Sequence, residues 1–352
     1  MQKVRKSNIE LLRILAMLAI IAGHMTHQTE ILNCATGEQL LLSYIVGSGH
    51  RIGVNLFLLI GTWFLVESDF KAERVLKLYG QMAFYTISIS VIILVFGLPH
   101  SNVDIVRCFM PFTLRPVWFG SAYIAMLLLI PFINHIPRSG EGKFMVMILF
   151  VLISVFSTIT PKIWDNFICS FVYFVFVYLA MRQYKTSIQS FYANKWIVLS
   201  FGIVIYIVLA YGEFRGNALA IQYIDDFKSV PNLLISLCVF YFFIRVDIGK
   251  SKCINWFAGS AFAVYIVHQT PNFYEILWNE IFKVPSWIGS DWLVLYLFTF
   301  VLLTYILIVS IDQVRKKYFE PIWTRSRVFV LLNKELYGQY KVISTEKKGN
   351  KE

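Results

Sequence analysis

Residues 292–311 read WLVLYLFTFVLLTYILIVSI, a stretch of 20 residues without a single charge. A helix of about 20 apolar residues spans the hydrocarbon core of a bilayer, so the stretch predicts a membrane span. Nine further apolar runs precede it, and we therefore expect an all-α, polytopic membrane bundle of about ten transmembrane helices. The earlier runs lie near residues 9–23, 40–66, 78–98, 117–136, 144–160, 167–181, 196–212, 230–245 and 254–274.

The composition is typical of a chain embedded in lipid. Hydrophobic residues make up 57% of the 352 residues and charged residues only 15%, against about 25% charged in an average soluble domain. A water-soluble globule cannot hide that much apolar surface. The 17% of aromatic residues excludes disorder and a coiled coil. The net charge of +11 indicates contact with anionic lipid head groups and not with nucleic acid.

The positive charges alternate across the predicted spans. With a cytoplasmic N-terminus, 24 of the 32 Lys and Arg residues fall in segments predicted to be cytoplasmic, among them Lys3 and Arg5. Six fall in segments predicted to be outside, Lys162 among them, and two lie within spans. This bias predicts that both termini are cytoplasmic. We expect a transmembrane domain over residues 1–312 and a basic cytoplasmic tail over residues 313–352.

The cysteines do not form a recognisable site. Cys34, Cys108, Cys169, Cys238 and Cys253 are scattered along the chain, with no CxxC pair and no histidine at metal-ligand spacing. We interpret them as free thiols and expect neither a disulfide framework nor a metal site.

Two polar residues within the first apolar run share one helix face. Arg13 and His24 are 11 residues apart, which is about 20° past three full turns and about 16 Å along the axis. Glu10, one turn before Arg13, is placed to pair with it. A charged residue within a span raises the free energy of membrane insertion by roughly 2.5–3.5 kcal/mol, so such residues are candidates for a functional site. Alternatively, Arg13 extends to the inner interface and His24 bonds a neighbouring helix.

A second polar pair interrupts the second apolar run. His50 and Arg51 stand among Gly47, Gly49 and Gly53. Irregular backbone at membrane depth is tolerated only against protein or a water-filled cavity, and an arginine there can bind phosphate, carboxylate or a thioester oxygen. Alternatively, the segment is a short outer re-entrant turn with Arg51 at the interface.

A third polar residue lies in the ninth run. His268 stands about 21 Å from the inner end of that run, a depth similar to that of His24. Alternatively, it is an interfacial histidine beside Gln269 and Pro271.

Several segments resemble the motifs of the acyltransferase-3 family, the bacterial integral membrane O-acyltransferases. They occur in the family's order over roughly residues 5–310, together with ten predicted spans and cytoplasmic termini. After Ile60 the family usually has Ser-Gly-Tyr, whereas this chain has Gly61, Thr62 and Trp63. The matching segments are 7–13 with His24 after ten intervening residues, 54–60 in the second span, 116–119 with Tyr123 and 131–134 in the fourth, and the late Tyr-x-x-His motif within 260–268.

The resemblance implies transfer of an acyl group, most often acetyl, from cytoplasmic acyl-CoA to a hydroxyl of a cell-surface glycan. Acetyl-CoA or another acyl-CoA is then the co-substrate, without a metal, and the lipid bilayer and a glycan acceptor are the partners. The location implied is the bacterial cytoplasmic membrane, with a multi-pass topology. Some family members carry an extra extracytoplasmic hydrolase-like domain. We expect this chain to have none, and to act alone or with a separate partner.

The resemblance also implies that Arg13 and His24 are essential residues. Acyl transfer needs an anchor for the phosphates of CoA, and we expect acyl-CoA to dock at the inner face near Arg13. Arg74 and Lys77 are further candidates for phosphate contacts, and Glu10 is placed to orient Arg13.

The reaction itself also needs a base and donors for a developing oxyanion. We expect His24 either to deprotonate the acceptor hydroxyl or to carry the acyl group briefly. Arg51 and His268 are candidates for stabilising the thioester oxyanion or for binding the sugar.

Two other classes of protein also fit the sequence. A transporter or flippase of a lipid-linked glycan can use intramembrane Arg and His residues near a broken helix. The chain shows no clear internal repeat, which favours the enzyme. A purely structural membrane scaffold would not explain why the charged residue Arg13 lies within a span.

Overall fold

The structure is a computed structural model that describes residues 6–160 and 166–349, with side chains described up to residue 340. Lys3, Arg5 and Lys162 of the charge pattern lie outside the described residues. Within the described residues the chain forms helices and turns, with no strand. The α-helices are α1 (Ser7–His27), α2 (Ile31–Cys34), α3 (Gly37–Gly47), α4 (Gly49–Leu65), α5 (Ala72–Val95), α6 (Asn102–Phe109), α7 (Trp118–Ile133), α8 (Gly140–Leu149), α9 (Phe156–Ile159), α10 (Phe167–Ser190), α11 (Lys195–Phe214), α12 (Ala218–Asp225), α13 (Val230–Arg245), α14 (Lys252–Ala258), α15 (Ala261–Gln269), α16 (Phe273–Glu275), α17 (Leu293–Arg325) and α18 (Arg327–Gly349).

The described residues also contain three turns that are tighter or wider than an α-helix. A π-helical turn at Phe150–Val155 joins α8 to α9, and a second at Ile276–Ile281 follows α16. A 3-10 turn occupies Val284–Trp287.

All five cysteines are free thiols, as the sequence predicts.

Seven helical stretches of the described chain are long and apolar enough to cross a membrane. Five are the single helices α1, α5, α10, α11 and α17, and two combine neighbours, α3 with α4 and α8 with α9. An eighth is the pair α12 and α13, which is bent by 55°, if the pair forms one span. The predicted all-α, polytopic membrane bundle is confirmed.

Two of the ten predicted runs fold as shorter helices. α7 has 16 residues, and the run at 254–274 divides at Gly259 and Ser260 into α14 and α15. α15 ends because Thr270 precedes Pro271 and is extended (φ −62°, ψ 125°), the conformation that a following proline favours. The count of ten spans and the cytoplasmic location of both termini stay predictions.

α1 lies among many helices of the bundle. It contacts α3, α4, α13, α14, α15 and α17. Its buried positions recur at helical spacing and include Ile9, Leu12, Met17, Ile21 and Met25, so one apolar face of the helix packs into the core. The polar residues of α1 are therefore within reach of several other helices.

α1 and α4 pack backbone against backbone at two glycines. A Cβ atom on Gly23 would lie 2.3 Å from Cβ of His50 and 2.5 Å from the carbonyl oxygen of Gly47. A Cβ atom on Gly53 would lie 2.6 Å from the carbonyl oxygen of Ala16. Small residues allow this approach, which is common between membrane helices. It brings the break between α3 and α4 directly against α1.

We predict that Gly23→Ala destabilises the protein by about 1–3 kcal/mol, because the added methyl forces α1 away from His50. The thermal unfolding midpoint of the purified protein in detergent measures the effect. Gly140→Ala is the matched control, since a Cβ atom at Gly140 meets nothing within 4 Å. Equal unfolding midpoints for the two variants would contradict the close packing of α1 on α4.

The C-terminal part of the chain packs on the bundle. α17 continues without a break through the domain boundary expected at residues 312–313. α18 contacts α5, α7 and α17, and Phe329, Leu336 and Tyr340 belong to or pack against the apolar core. The ring of Tyr340 lies 5.1 Å from the ring of Phe70.

Candidate active site

Histidines from three helices meet in the core. The ring centroid of His24 (α1) lies 5.2 Å from that of His268 (α15) and 5.8 Å from that of His50 (α4). His27, one turn after His24, lies 4.9 Å from His50. His50 and His268 are buried. We call His24, His27, His50 and His268 the histidine cluster; it joins three polar groups that the sequence predicted separately.

Hydrogen bonds determine which ring nitrogens of the cluster carry protons. Nδ1 of His268 lies 2.5 Å from the carbonyl oxygen of Val264, which only accepts, so this Nδ1 donates. Nε2 of a neutral His268 then holds a lone pair, and it lies 3.0 Å from Nδ1 of His24. His24 therefore donates from Nδ1 to His268. Its own Nε2 keeps the lone pair and is able to accept a proton.

The break between α3 and α4 orients His50. The carbonyl oxygen of Gly47, at the end of α3, accepts a hydrogen bond from Nδ1 of His50 at 2.9 Å. This carbonyl lies at the C-terminal end of α3, where the last C=O groups have no donor within their own helix. The ring of His50 supplies the missing donor. The glycine-rich break in the second run thus fixes the orientation of His50 within the histidine cluster.

Tyr265 ties the cluster to α7. Its hydroxyl oxygen accepts a hydrogen bond from the backbone N–H of Phe119 at 3.2 Å, one of the first N–H groups of α7 that has no partner within its own helix. The ring of Tyr265 stands edge-on to that of His268, with centroids 6.2 Å apart. Tyr265 was within the quoted Tyr-x-x-His motif, but the sequence assigned it no role.

Arg13 and Arg74 line one cavity. Nη1 of Arg13 lies 2.8 Å from Oε2 of Glu10, the ion pair that the spacing predicts. The cavity has a volume of about 220 Å³, and Arg74 makes no ion pair with a carboxylate of the described residues. We call it the arginine cavity; its other lining residues are Phe57, Gly61, Leu78, Phe119, Tyr123, Ala258, Gly259 and Phe262.

Lys77 does not line the arginine cavity. Its ammonium lies 2.8 Å from Oε1 of Glu73 and 3.9 Å from Oε1 of Glu320. Of the three cations expected to contact acyl-CoA, the structure therefore brings Arg13 and Arg74 together and pairs Lys77 elsewhere.

Aromatic side chains stand between the arginine cavity and the histidine cluster. Phe119 and Phe262 line the cavity, and their ring centroids lie 5.5 Å and 6.3 Å from that of Tyr265. Since Tyr265 also contacts His268, the aromatic rings connect the two polar regions. Arg13 and His24 thus both face α14 and α15, in agreement with their 11-residue spacing.

A buried carboxylate supports the wall of the arginine cavity. Asp312 is fully buried and accepts hydrogen bonds from Tyr85 at 2.8 Å and from Nε of Arg315 at 2.7 Å. Its other oxygen lies 3.0 Å from the ammonium of Lys316, which also donates to the carbonyl oxygen of the cavity residue Gly259 at 2.9 Å. The sequence placed Asp312 at the edge of a span and assigned it no role.

Sequence reasoning also missed polar residues on α11 and around the bend. Glu213 is buried and accepts a hydrogen bond from Oγ of Ser48 at 2.5 Å. Asp226 and Lys228, between α12 and α13, form an ion pair of 2.8 Å with both side chains buried. The signal was present, since these charges adjoin apolar runs, but they were assigned to loops outside the membrane. No group of three or more His, Cys, Asp or Glu among the described residues is arranged to hold a metal ion.

Comparison with protein families assigns most of the chain. The family model described as an acyltransferase domain, Acyl_transf_3, matches residues 6–310. The chain belongs to the acyltransferase-3 family. No curated protein and no solved structure matches it. The resemblance stated from the motifs is confirmed, and this acyltransferase-3 protein is a multi-pass membrane acyltransferase, which favours the enzyme over the transporter and the scaffold.

One departure of this acyltransferase from the family pattern lies beside the arginine cavity. A Cβ atom on Gly61 would lie 2.6 Å from the hydroxyl oxygen of Tyr123. A serine at this position would require the Tyr123 side chain to shift, whereas glycine leaves room for its hydroxyl in the position observed.

Proposed function

We propose that this acyltransferase transfers an acyl group, acetyl in the simplest case, from cytoplasmic acyl-CoA to a hydroxyl of a cell-surface glycan or its precursor. The observation that carries the proposal is the hydrogen-bonded chain from Val264 through His268 to His24. It leaves Nε2 of a histidine free to accept a proton, deep in a membrane protein of an acyltransferase family.

The arginine cavity is the proposed entry of the donor. Arg13 is partly neutralised by Glu10, whereas among the described residues the guanidinium of Arg74 donates only to the hydroxyl of Ser68, at 3.3 Å. A guanidinium without a carboxylate partner suits a phosphate of CoA. The apolar part of the pantetheine arm then follows the aromatic rings of Phe119, Phe262 and Tyr265 toward the histidine cluster.

His24 acts as the general base in the proposed reaction. Nε2 of His24 takes the proton of the acceptor hydroxyl while the hydroxyl oxygen forms a bond to the carbonyl carbon of the thioester. The bond from that carbon to sulfur then breaks, and the CoA thiolate receives the proton from the imidazolium. His268 accepts from Nδ1–H of His24 and holds the ring in the required tautomer, the role that the third member of a catalytic triad performs.

The alternative expected from the sequence, an acyl group carried on His24, uses the same lone pair on Nε2. The two routes differ in one intermediate. Acyl transfer to His24 leaves label on the protein when donor is supplied without acceptor, whereas general-base catalysis leaves none.

Label transfer in inside-out membrane vesicles tests the proposed function. Radioactive acetyl-CoA supplied at the cytoplasmic face should label glycan in vesicles with the wild-type protein, and the label should disappear with His24→Ala. Label that persists in the His24→Ala vesicles would show that another residue is the catalytic base. Vesicles without any label would contradict acetyl-CoA as the donor.

We predict that Arg74→Gln raises the KM for acyl-CoA about 10- to 100-fold with little change in kcat, because it removes one charge-assisted hydrogen bond to phosphate of about 1.5–3 kcal/mol. Lys77→Gln is the matched control on the same helix, since its ammonium is paired with Glu73 and Glu320. Its KM should change less than twofold. Equal effects of the two substitutions would contradict donor entry at the arginine cavity.

A further inference from the structure

Arg51 lies beside the histidine cluster and makes no ion pair with a carboxylate of the described residues. It stands on the first turns of α4, next to His50. It interacts electrostatically with His24, His27 and His50. Its Nε is buried and has no hydrogen-bond partner among the described residues. Nε of Arg51 is therefore an unused, buried donor beside the proposed reaction centre.

The nearby carboxylates do not form a close ion pair with Arg51. Glu213 lies within its electrostatic range but accepts a hydrogen bond from Ser48, and Asp225 is exposed at the end of α12. Among the described residues, neither carboxylate is within 4.0 Å of the guanidinium, the limit for an ion pair. Leaving a buried donor unsatisfied costs about 1–3 kcal/mol, and more when the group is charged. Such a cost is recovered when a ligand supplies the missing acceptors.

The chemistry of the missing ligand follows from the guanidinium. Arginine presents five N–H donors in a planar fork that matches the two oxygens of a carboxylate or a phosphate. A neutral sugar hydroxyl satisfies one donor and leaves the charge without a counter-ion. Of the two substrates, CoA has its phosphates assigned to the arginine cavity, on the other side of the aromatic rings, so the anion at Arg51 belongs to the acceptor.

We propose that the acceptor is an acidic glycan, whose carboxylate or phosphate binds Arg51 while a hydroxyl of the same or the adjacent sugar reaches Nε2 of His24. This inference rests on the proposed function and adds the charge of the substrate. Since Arg51 follows His50 in the chain and the rings of His50 and His24 lie 5.8 Å apart, the acylated hydroxyl lies close to the anionic group. A neutral polysaccharide is then a poor acceptor.

Charge analysis of the labelled product tests the inference. Cells expressing the wild-type protein, His24→Gln, Arg51→Gln or Arg51→Lys are fed radioactive acetate, and their glycans are separated by anion exchange. The His24-dependent label should bind the column, fall at least tenfold in Arg51→Gln and be partly retained in Arg51→Lys. Chemical reduction of carboxyl groups, or removal of phosphate with hydrofluoric acid, should then abolish the retention and identify which anion is present.

The outcomes separate the inference from the proposed function. His24-dependent label on a neutral glycan overturns the acidic acceptor but keeps the acyltransferase, whereas no His24-dependent label overturns both. Acyl-CoA hydrolysis by the purified proteins provides the second measurement. Arg51→Gln should lose less hydrolysis than His24→Gln, and a loss as large as that of His24→Gln would assign Arg51 to the acyl chemistry instead and overturn the inference.

Discussion

Replacing His24 by Gln should lower kcat for acyl transfer by about 10²–10⁴-fold, because general-base catalysis by a positioned side chain contributes about that factor. The amide of Gln still reaches His268 but has no lone pair that accepts a proton near neutral pH. Steady-state transfer of labelled acetyl groups by protein purified in detergent and returned to liposomes measures the effect. Membrane insertion and the unfolding midpoint should stay close to those of the wild type.

Two further histidine substitutions make the result specific. His268→Gln should lower kcat less than His24→Gln does, since it removes only the acceptor that holds the tautomer of His24. His100→Gln is the matched control, because His100 is exposed in a loop and its ring bonds to the carbonyl oxygen of Leu98, far from the histidine cluster in the chain. A His268→Gln protein that is less active than His24→Gln would exchange the two roles. Full activity of His24→Gln would contradict the assignment of the base.

Replacing Asp312 by Asn should destabilise the protein by roughly 3–5 kcal/mol, since removing one member of a buried ion pair leaves an uncompensated buried charge. Asp312 is fully buried and faces both Arg315 and Lys316. The loss should appear as a lower unfolding midpoint in detergent. A weaker affinity for acyl-CoA should accompany it, because Lys316 also holds Gly259 in the wall of the arginine cavity.

Glu320→Gln is the control for Asp312→Asn. Glu320 lies 3.2 Å from the same Arg315 but is 30% exposed, and ion pairs that solvent reaches contribute only about 0–1 kcal/mol. If Asp312→Asn is no more destabilising than Glu320→Gln, then Asp312 does not hold α17 in place.

The fold class was predictable because it depends on composition and on the lengths of apolar runs. The pairing of Arg13 with Glu10 was predictable for a similar reason, since both lie on one helix and their separation determines their geometry. Runs 117–136 and 254–274 were read as full spans, whereas they form shorter helices. Apolar length alone does not reveal where a proline or a Gly-Ser pair ends a helix.

The histidine cluster could not be predicted as a unit. His24 and His268 are separated by 244 positions, and their contact depends on how α1 packs against α15. No periodicity along one helix encodes such a contact. Glu213 and Asp312 escaped notice because each stands at the end of an apolar run, where charges are normally solvated. Tertiary packing buries them, and only the structure shows it.

The aromatic rings of Phe119, Phe262 and Tyr265 have a consequence for the cell as well as for the reaction. An enzyme whose two substrates arrive from opposite faces of a membrane risks becoming a leak for ions. A hydrated cation is too large and too strongly solvated to pass packed aromatic rings, whereas a slender, mostly apolar thioester arm can slide between them. In the proposed mechanism, the rings that guide the donor thereby also preserve the electrochemical gradient of the membrane in which the enzyme works.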